Sequence, residues 1–385
     1  MPRKATTRAA HGSISTNQRP NGTWRGRYTM DGKRHDIYGK TEREVMDKWA
    51  DICKDVRNGT YVKPSSTRLS DWLDTYLTDF ARGIRDTTRL QYAKNFKNHT
   101  KPALGNTRLD QLRPDMIQRF YNSLERDKGL SPKTVKNIHG ALHKALEKAV
   151  NLGYIPANPS DAGKIELSRV VHKVMKPFDI PEFRIYQEAV KGARYEAALY
   201  IMPWTGMREA ETIGLKWSDI DYKKRTITIS RQLICDGGKG VAAYFSPPKN
   251  GKMRTIHPGA NVFEALKRHE IAQKKTRLKA GMLWHEGEYS GLVFTNSTGR
   301  YVDSTCVWRS FKNVLAKAQL EDRRVHDLRH TFPVIGQAAG LSIKAISETL
   351  GHASVAFTLD IYGSFLKTER EESAVKLDEF ARTLS

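Results

Sequence analysis

The sequence predicts an α+β chain, mainly helical. It divides into a small three-stranded sheet with one helix, a helical domain, and a mixed helical domain with a small antiparallel sheet. Three observations lead there. Residues 13–39 alternate short polar-aromatic runs with turn signals, residues from Leu69 to about Leu152 keep a helical period, and residues from Phe178 onward mix helices with short strands. A chain of 385 residues also exceeds what one hydrophobic core commonly serves, so several domains are expected.

In the first stretch, Pro20-Asn21-Gly22 precedes Trp24-Arg25-Gly26-Arg27-Tyr28, and Asp31-Gly32 precedes Arg34-His35-Asp36-Ile37-Tyr38. Such alternation between tight turns reads as antiparallel strands. Thr41 followed by Glu44 makes a capping box, after which Val45, Met46, Trp49, Ile52, Cys53 and Val56 recur at helical spacing until Asn58-Gly59. Sheet and helix make one domain, residues 1–62, with a basic tail at 1–11. Its strands carry Arg25, Arg27, Lys33 and Arg34 beside aromatics. A sheet of that kind can lie against phosphates, and an ordinary solvated strand face would look the same.

After Lys63-Pro64-Ser65-Ser66-Thr67 a helical domain is expected over 67–155, broken at Gly105, at Pro114 and at Ser131-Pro132. The segments from Thr87 and from Ser131 start with small polar residues and carry Lys94, Lys133 and Lys136. Helix N-termini with such cations suit phosphate contact. Residues 156–177 lack a sustained period and hold prolines at both ends, which predicts a linker. In the third domain, 178–385, Arg225 to Ile234 alternates as a strand should and Arg254-Thr255-Ile256 can pair with its neighbourhood. Helices are expected around 261–278, 303–318, 326–339 and 342–350. In the tail 366–385, Leu377, Phe380, Ala381 and Leu384 form one apolar helical stripe.

The formal net charge of +23 sets up a positive field suited to a polyanion, with nucleic acid as the leading partner. No apolar stretch long enough to span a membrane accompanies it, and residues 1–11 lack the apolar run of a secretory signal, so a cytoplasmic protein is expected. Cys53, Cys235 and Cys306 lie far apart and in no CxxC pair, which predicts neither a disulfide framework nor a zinc site.

Three islands carry candidate chemistry: Thr205-Gly206-Met207-Arg208-Glu209-Ala210-Glu211, then His326-Asp327-Leu328-Arg329-His330, then Leu350-Gly351-His352 through Ile361-Tyr362. Arg208 opens a helix after a turn, where an anion is also favoured, or pairs with Glu209 or Glu211. His326 and Arg329 sit three apart, so they can face one ligand. Singly, each island has a plain structural alternative.

In order, the islands resemble the tyrosine recombinase family, whose catalytic domain spreads Arg, Lys, His-x-x-Arg, His and Tyr along the chain. Here the pattern reads Arg208, Lys249 in SPPKNGKMRTIHP, His326 and Arg329 in HDLRHTF, His352 in LGHASVAFTLDIY, and Tyr362. The domain order is similar to that of phage and conjugative-transposon integrases, with an arm-site-binding sheet domain and a core-binding helical domain ahead of the catalytic one. The resemblance implies that Tyr362 attacks a DNA phosphate while Arg208 and Arg329 hold its oxygens. Lys249, on the turn of a β-hairpin, would protonate the leaving oxygen, and His326 and His352 would bond the phosphate or exchange the phenolic proton. Glu211 would orient Arg208. It further implies double-stranded DNA at core and arm sites as partner, a homo-tetramer on DNA, no cofactor and no metal, and leaves open an accessory directionality or DNA-bending protein.

Two departures from the family pattern stand out. Pro333 falls inside the helix after Arg329 and can kink or end it early, and Gly363-Ser364 follows the tyrosine. Three rival readings differ in chemistry. A non-cutting DNA-binding regulator would need a broken active site, and a type IB topoisomerase would lack the arm-binding module. A metal-dependent transposase would need a carboxylate cluster beside the Arg, His and Tyr islands.

Overall fold

The structure, a computed structural model, describes residues 14–30, 32–57, 66–171, 175–235, 243–249, 251–352, 354–362 and 381–382, leaving aside the side chains of 33, 55, 357 and 360–362. It divides into two units, Met1–His172 and Lys173–Ser385. Of the apolar tail stripe, Leu377, Phe380 and Leu384 lie outside the described residues.

The first unit opens with the expected antiparallel sheet, β1 (Ile14–Gln18), β2 (Trp24–Met30) and β3 (Lys33–Gly39), in sequential order. Helix α1 (Glu42–Arg57) begins where the backbone N–H of Glu44 donates to Thr41 Oγ1 at 3.2 Å. It can press on the sheet because Gly26 has no side chain. A Cβ there would lie 2.4 Å from Val45 Cγ1 and 2.5 Å from Ile14 Cδ1. On the same face the rings of Tyr28 and Trp49 pack with centroids 4.7 Å apart. Gly26→Ala therefore overpacks the contact and is expected to cost about 1–3 kcal/mol. A lowered urea midpoint of a truncated 1–62 module, followed by Trp24 and Trp49 fluorescence, checks this; an unchanged midpoint contradicts it.

Helices α2 (Leu69–Thr75), α3 (Asp86–Asn95), α4 (Lys101–Leu104), α5 (Pro114–Arg126) and α6 (Pro132–Asn151) build the helical part. Both α2 and α3 run on into a π-helical turn, Tyr76–Phe80 and Phe96–Thr100. Helix α6 is the central one: Val135, Ile138, Leu142, Ala145, Leu146 and Ala149 fall on one face at helical spacing and are all buried. The Trp72 indole N–H donates to the carbonyl of Ala145 at 2.9 Å and ties α2 to it.

The stretch after α6, read above as linker, is fastened to this bundle. Asn158 is buried, and its amide donates to His143 Nδ1 at 3.1 Å and to Glu147 Oε2 at 3.3 Å. Gln118 bonds the backbone of Glu166 at 2.9 and 2.8 Å, and Ile165 and Leu167 pack on the helical core. Polar side-chain clamps hold the segment although it has no period of its own.

The second unit contains α7 (Ile180–Ala189), α8 (Glu196–Thr205), α9 (Glu209–Ile213), β4 (Ile220–Asp221), β5 (Thr226–Ile229), β6 (Gln232–Ile234), β7 (Tyr244–Ser246) and β8 (Arg254–Ile256). Then come α10 (Ala260–Ala280), α11 (Ser304–Lys317), α12 (Val325–Ala338), α13 (Ile343–Leu350) and α14 (Val355–Tyr362). Two small antiparallel sheets form, β4-β5-β8 and β6-β7. The single strand expected over 225–234 is thus split at Ser230-Arg231, where Arg231 turns to pair with Asp219. Pro333 neither ends nor interrupts α12, which continues to Ala338. It lies beyond the first turn, so it only withholds one backbone donor from the carbonyl of Arg329. Among the described residues no helix is long and apolar enough to cross a membrane.

Candidate active site

Arg208 stands at the N-terminus of α9, directly after the turn that ends α8. Of its two acidic neighbours, Glu211 is the partner. Arg208 Nη1 donates to Glu211 Oε1 at 2.7 Å, and its backbone N–H donates to Oε2 at 2.9 Å. The same carboxylate receives a second guanidinium: Arg254, on β8, donates Nη1 to Oε1 at 3.0 Å and Nη2 to Oε2 at 2.7 Å. Glu211 is only 1% exposed. Burial alone would raise its pKa, yet the bonds and charge of Arg254, and then of Arg208, outweigh it and bring the group down to about 2. Glu209 points elsewhere, and burial followed by the nearby Asp303 raises its carboxyl to about 7.

Arg329, on α12, is 2% exposed. Its Nη1 donates to the carbonyl of Gly206 at 2.5 Å and its Nη2 to that of Leu350 at 2.6 Å. Those carbonyls are at the C-terminal ends of α8 and α13, where helix dipoles are negative and backbone acceptors lack helical partners. Both helices stop on a left-handed glycine, Gly206 at φ 62° and Gly351 at φ 68°. Neither tolerates a side chain, since a Cβ would fall 2.7 Å from Leu350 Cδ2 at Gly206 and 2.9 Å from Arg254 Cδ at Gly351. Arg254 also donates Nε to the carbonyl of Thr349 at 2.9 Å, so one end of α13 is held by two arginines.

Three histidines surround this cationic group. His326 and His330 meet edge to face on α12 with ring centroids 4.7 Å apart, and His352 Nδ1 lies 2.9 Å from Thr358 Oγ1 on α14. His326 opens to solvent, yet crowding by protein atoms, and then the charges of Arg329 and Arg208, lower it to about 4. Burial followed by His326 lowers His330 to about 3, and burial followed by Arg329 and Arg208 lowers His352 to about 4. All three are neutral at pH 7 in the DNA-free state. Their protonation is opposed by folding, so the stability they contribute is complete above the unfolded value of 6.5 and is lost as pH falls from there toward 4 and 3. Urea midpoints taken from pH 7 to pH 4 are expected to fall steadily, and less so for His352→Gln; a flat profile would contradict the assignment.

Lys249 is exposed in the stretch 247–253 that links β7 to β8, where Gly251 N–H closes a turn on Pro248 O at 2.7 Å. It is not at a hairpin tip, because β7 and β8 pair with different strands. Among the described residues no bond joins it to the arginine and histidine group. Tyr362 closes α14, and its side chain lies outside what is described. The structure thus brings together Arg208, Glu211, Arg329, His326 and His352, and adds Arg254, His330 and Thr358. Arg254 carried a usable signal: on a strand it shares a face with buried Ile256, and an inward-facing cation requires a buried acid.

In the first unit, Arg25, Arg27 and Arg34 fall on the sheet face opposite α1. Arg27 Nε is paired there with Asp36 at 2.9 Å and Arg25 Nε with Asn17 at 3.2 Å. The side chain of Lys33 is outside the described set. Lys94 at the end of α3, and Lys133 and Lys136 in the first turns of α6, are exposed.

Comparison with known proteins shows the family of the chain. The profile of the phage integrase family matches residues 173–368, and that of the phage integrase N-terminal SAM-like domain matches residues 68–125. A tyrosine recombinase XerC-like protein from Caldanaerobacter subterraneus subsp. tengcongensis is 29% identical over 359 residues, covering 90% of this chain and 92% of the relative. Among solved structures, the Tn1549 transposon integrase in complex with a circular intermediate DNA superposes with a TM-score of 0.65 at 21% identity, over 79% of this chain and 100% of that one. A lambda integrase tetramer bound to a Holliday junction superposes with a TM-score of 0.52 at 19% identity, over 91% and 97%. With residues 173–368 matched by one profile and residues 68–125 by the other, the chain belongs to the phage integrase family, the tyrosine recombinases.

Proposed function

We propose that the chain is a site-specific DNA recombinase that integrates and excises a mobile element by cutting and rejoining strands through a 3′-phosphotyrosyl bond at Tyr362. The observation that carries this reading is the fixed pair of guanidiniums. Arg208 is held by the buried Glu211, and Arg329 by the ends of two helices, so both charges are in place before DNA arrives. A phosphodiester gathers charge on its non-bridging oxygens as a nucleophile approaches, and preorganised cations favour that state most.

In the proposed reaction the Tyr362 oxygen bonds to phosphorus, the bond to the 5′-oxygen breaks, and the departing strand leaves as a 5′-hydroxyl. A neutral imidazole at His326 or His352 takes the phenolic proton, and Lys249 supplies the proton to the leaving oxygen. The phosphate anion itself raises the histidine pKa values on binding, which makes either ring a better base in the complex than in the free protein. Attack by a 5′-hydroxyl of a second duplex reverses the step and exchanges strands. Arg25, Arg27, Lys33 and Arg34 would contact arm-site DNA, and Lys94, Lys133 and Lys136 the core duplex, with four copies assembled on two duplexes. The relatives named integrase and the lambda tetramer on a Holliday junction support this assignment.

The test is a denaturing gel of the chain incubated in EDTA with nicked duplexes from the ends of its own element. Nicked strands diffuse away on cleavage and trap the covalent state. A slow protein–DNA band is expected for wild type and none for Tyr362→Phe, which should still bind the duplex. A wild type that binds but leaves no band would make the chain a non-cutting regulator, and a band that needs added Mg²⁺ would overturn the metal-free chemistry.

A further inference from the structure

Arg208 follows the C-terminal end of α8, a helix of 10 residues and hence about 15 Å long. At its opposite end the segment between α7 and α8 and one face of α11 enclose a cavity of about 400 Å³. Lys191, Arg194, Arg309 and Lys317 line it with Ser310 and Asn313, and no carboxylate does. Elsewhere in this unit Arg208 and Arg254 are matched by Glu211, Arg231 by Asp219 and Arg323 by Glu182, while the buried Arg329 bonds backbone carbonyls. Arg194 and Arg309 are exposed side chains on the wall of the cavity and have no carboxylate partner among the described residues. Lys191 pairs with Glu188, which is not part of the lining, and Lys317 donates to the carbonyl of Ala189 at 3.3 Å, so both ammoniums are held at the rim.

Four cations around the concavity, set against Glu188 on Lys191 and Glu196 on the Gly192 N–H, leave a net positive field that the protein walls screen less than water would. The α8 N-terminus adds little to that field, because Glu196 in its first turn accepts from the backbone N–H of Gly192 at 2.7 Å. We propose that this cavity binds a phosphate ester, gripped by the forked donors of Arg194 and Arg309. Its volume lies in the range of small-ligand pockets, large enough for a phosphate with its sugar. Two sources share that chemistry, a backbone phosphate of duplex DNA outside the cleavage site and a free nucleotide. Guanidinium forks suit either, since both present two or more oxygens in one plane.

Calorimetric titration of the full chain with inorganic pyrophosphate, wild type against the double variant Arg194→Gln/Arg309→Gln, tests the site. Binding is expected for wild type and should weaken at least about tenfold in the variant, the effect of losing one charge-assisted bond or more. Arg194→Lys/Arg309→Lys keeps the charge and loses the forks, so an intermediate loss with an unchanged thermal melt separates ligand binding from misfolding. The salt dependence of binding to a long duplex identifies the source. A slope reduced by about 2 in the Gln variant assigns the site to DNA backbone. An unchanged slope with lost pyrophosphate binding assigns it to a free phosphate ester. Pyrophosphate binding that survives both substitutions, or no binding by wild type together with an unchanged slope, overturns the proposal.

Discussion

Glu211→Ala is expected to lower the unfolding free energy of the second unit by about 3–5 kcal/mol, the usual cost of removing one partner from a buried ion group. Two guanidiniums, Arg208 and Arg254, share its two oxygens, and their side chains are only 18% and 12% exposed. Without the carboxylate the two cations repel each other and Arg208 loses its orientation, so strand cleavage falls as well. Glu211→Gln keeps the shape but supplies one acceptor oxygen in place of two, and should fall between Ala and wild type. The pH dependence has a definite sign. A carboxyl held at about 2 contributes stability that is complete above the unfolded value of 4.5 and is lost as pH falls from there toward 2. Urea titrations at pH 7 and pH 3 check both statements: the gap between wild type and Glu211→Gln should narrow at the lower pH. A gap that persists would mean the carboxylate charge is not what stabilises the site.

Arg329→Ala should slow single-turnover strand cleavage by about 10³-fold or more, in line with the loss of a preorganised charge that stabilises a developing anion. Arg329→Lys keeps a charge but cannot bond both the Gly206 and Leu350 carbonyls in one plane, so part of the loss is expected to remain. A second readout separates position from mere presence. Arg329 is the leading charge that depresses His326 and His352, so its removal should raise both toward 6.5 and move the acidic limb of the cleavage profile upward in pH. An unmoved limb, or a rate within tenfold of wild type, would take Arg329 out of the reaction.

Much of this was legible in the sequence, and the reasons differ by region. Strands β1 to β3 and helix α1 carry strong local signals: turn dipeptides, a period of two, and the Thr41–Glu44 box that the structure realises as a 3.2 Å bond. The spacing of His326 and Arg329 on one helix was readable for the same reason. Long-range polar contacts were not. Nothing local says that Asn158 clamps to His143 and Glu147, which made 156–177 look like linker. Nor does a strand pattern reveal that 225–234 divides between two sheets, since that depends on where Arg231 finds Asp219. Pro333 shows the limit of a local rule, because packing around buried Phe332 and Ile335 keeps α12 going past it. Choosing Glu211 over Glu209 as partner of Arg208 needed Arg254, which arrives from a strand 43 residues away.

The central claim concerns one side chain, and mass spectrometry of the trapped complex addresses it directly. After nuclease and trypsin digestion of wild-type protein incubated with nicked duplex in EDTA, the peptide 345–367 should carry a 3′-phosphonucleotide on Tyr362. A nucleotide found on any other residue, or an unmodified peptide from protein that has demonstrably cut its duplex, would contradict the account.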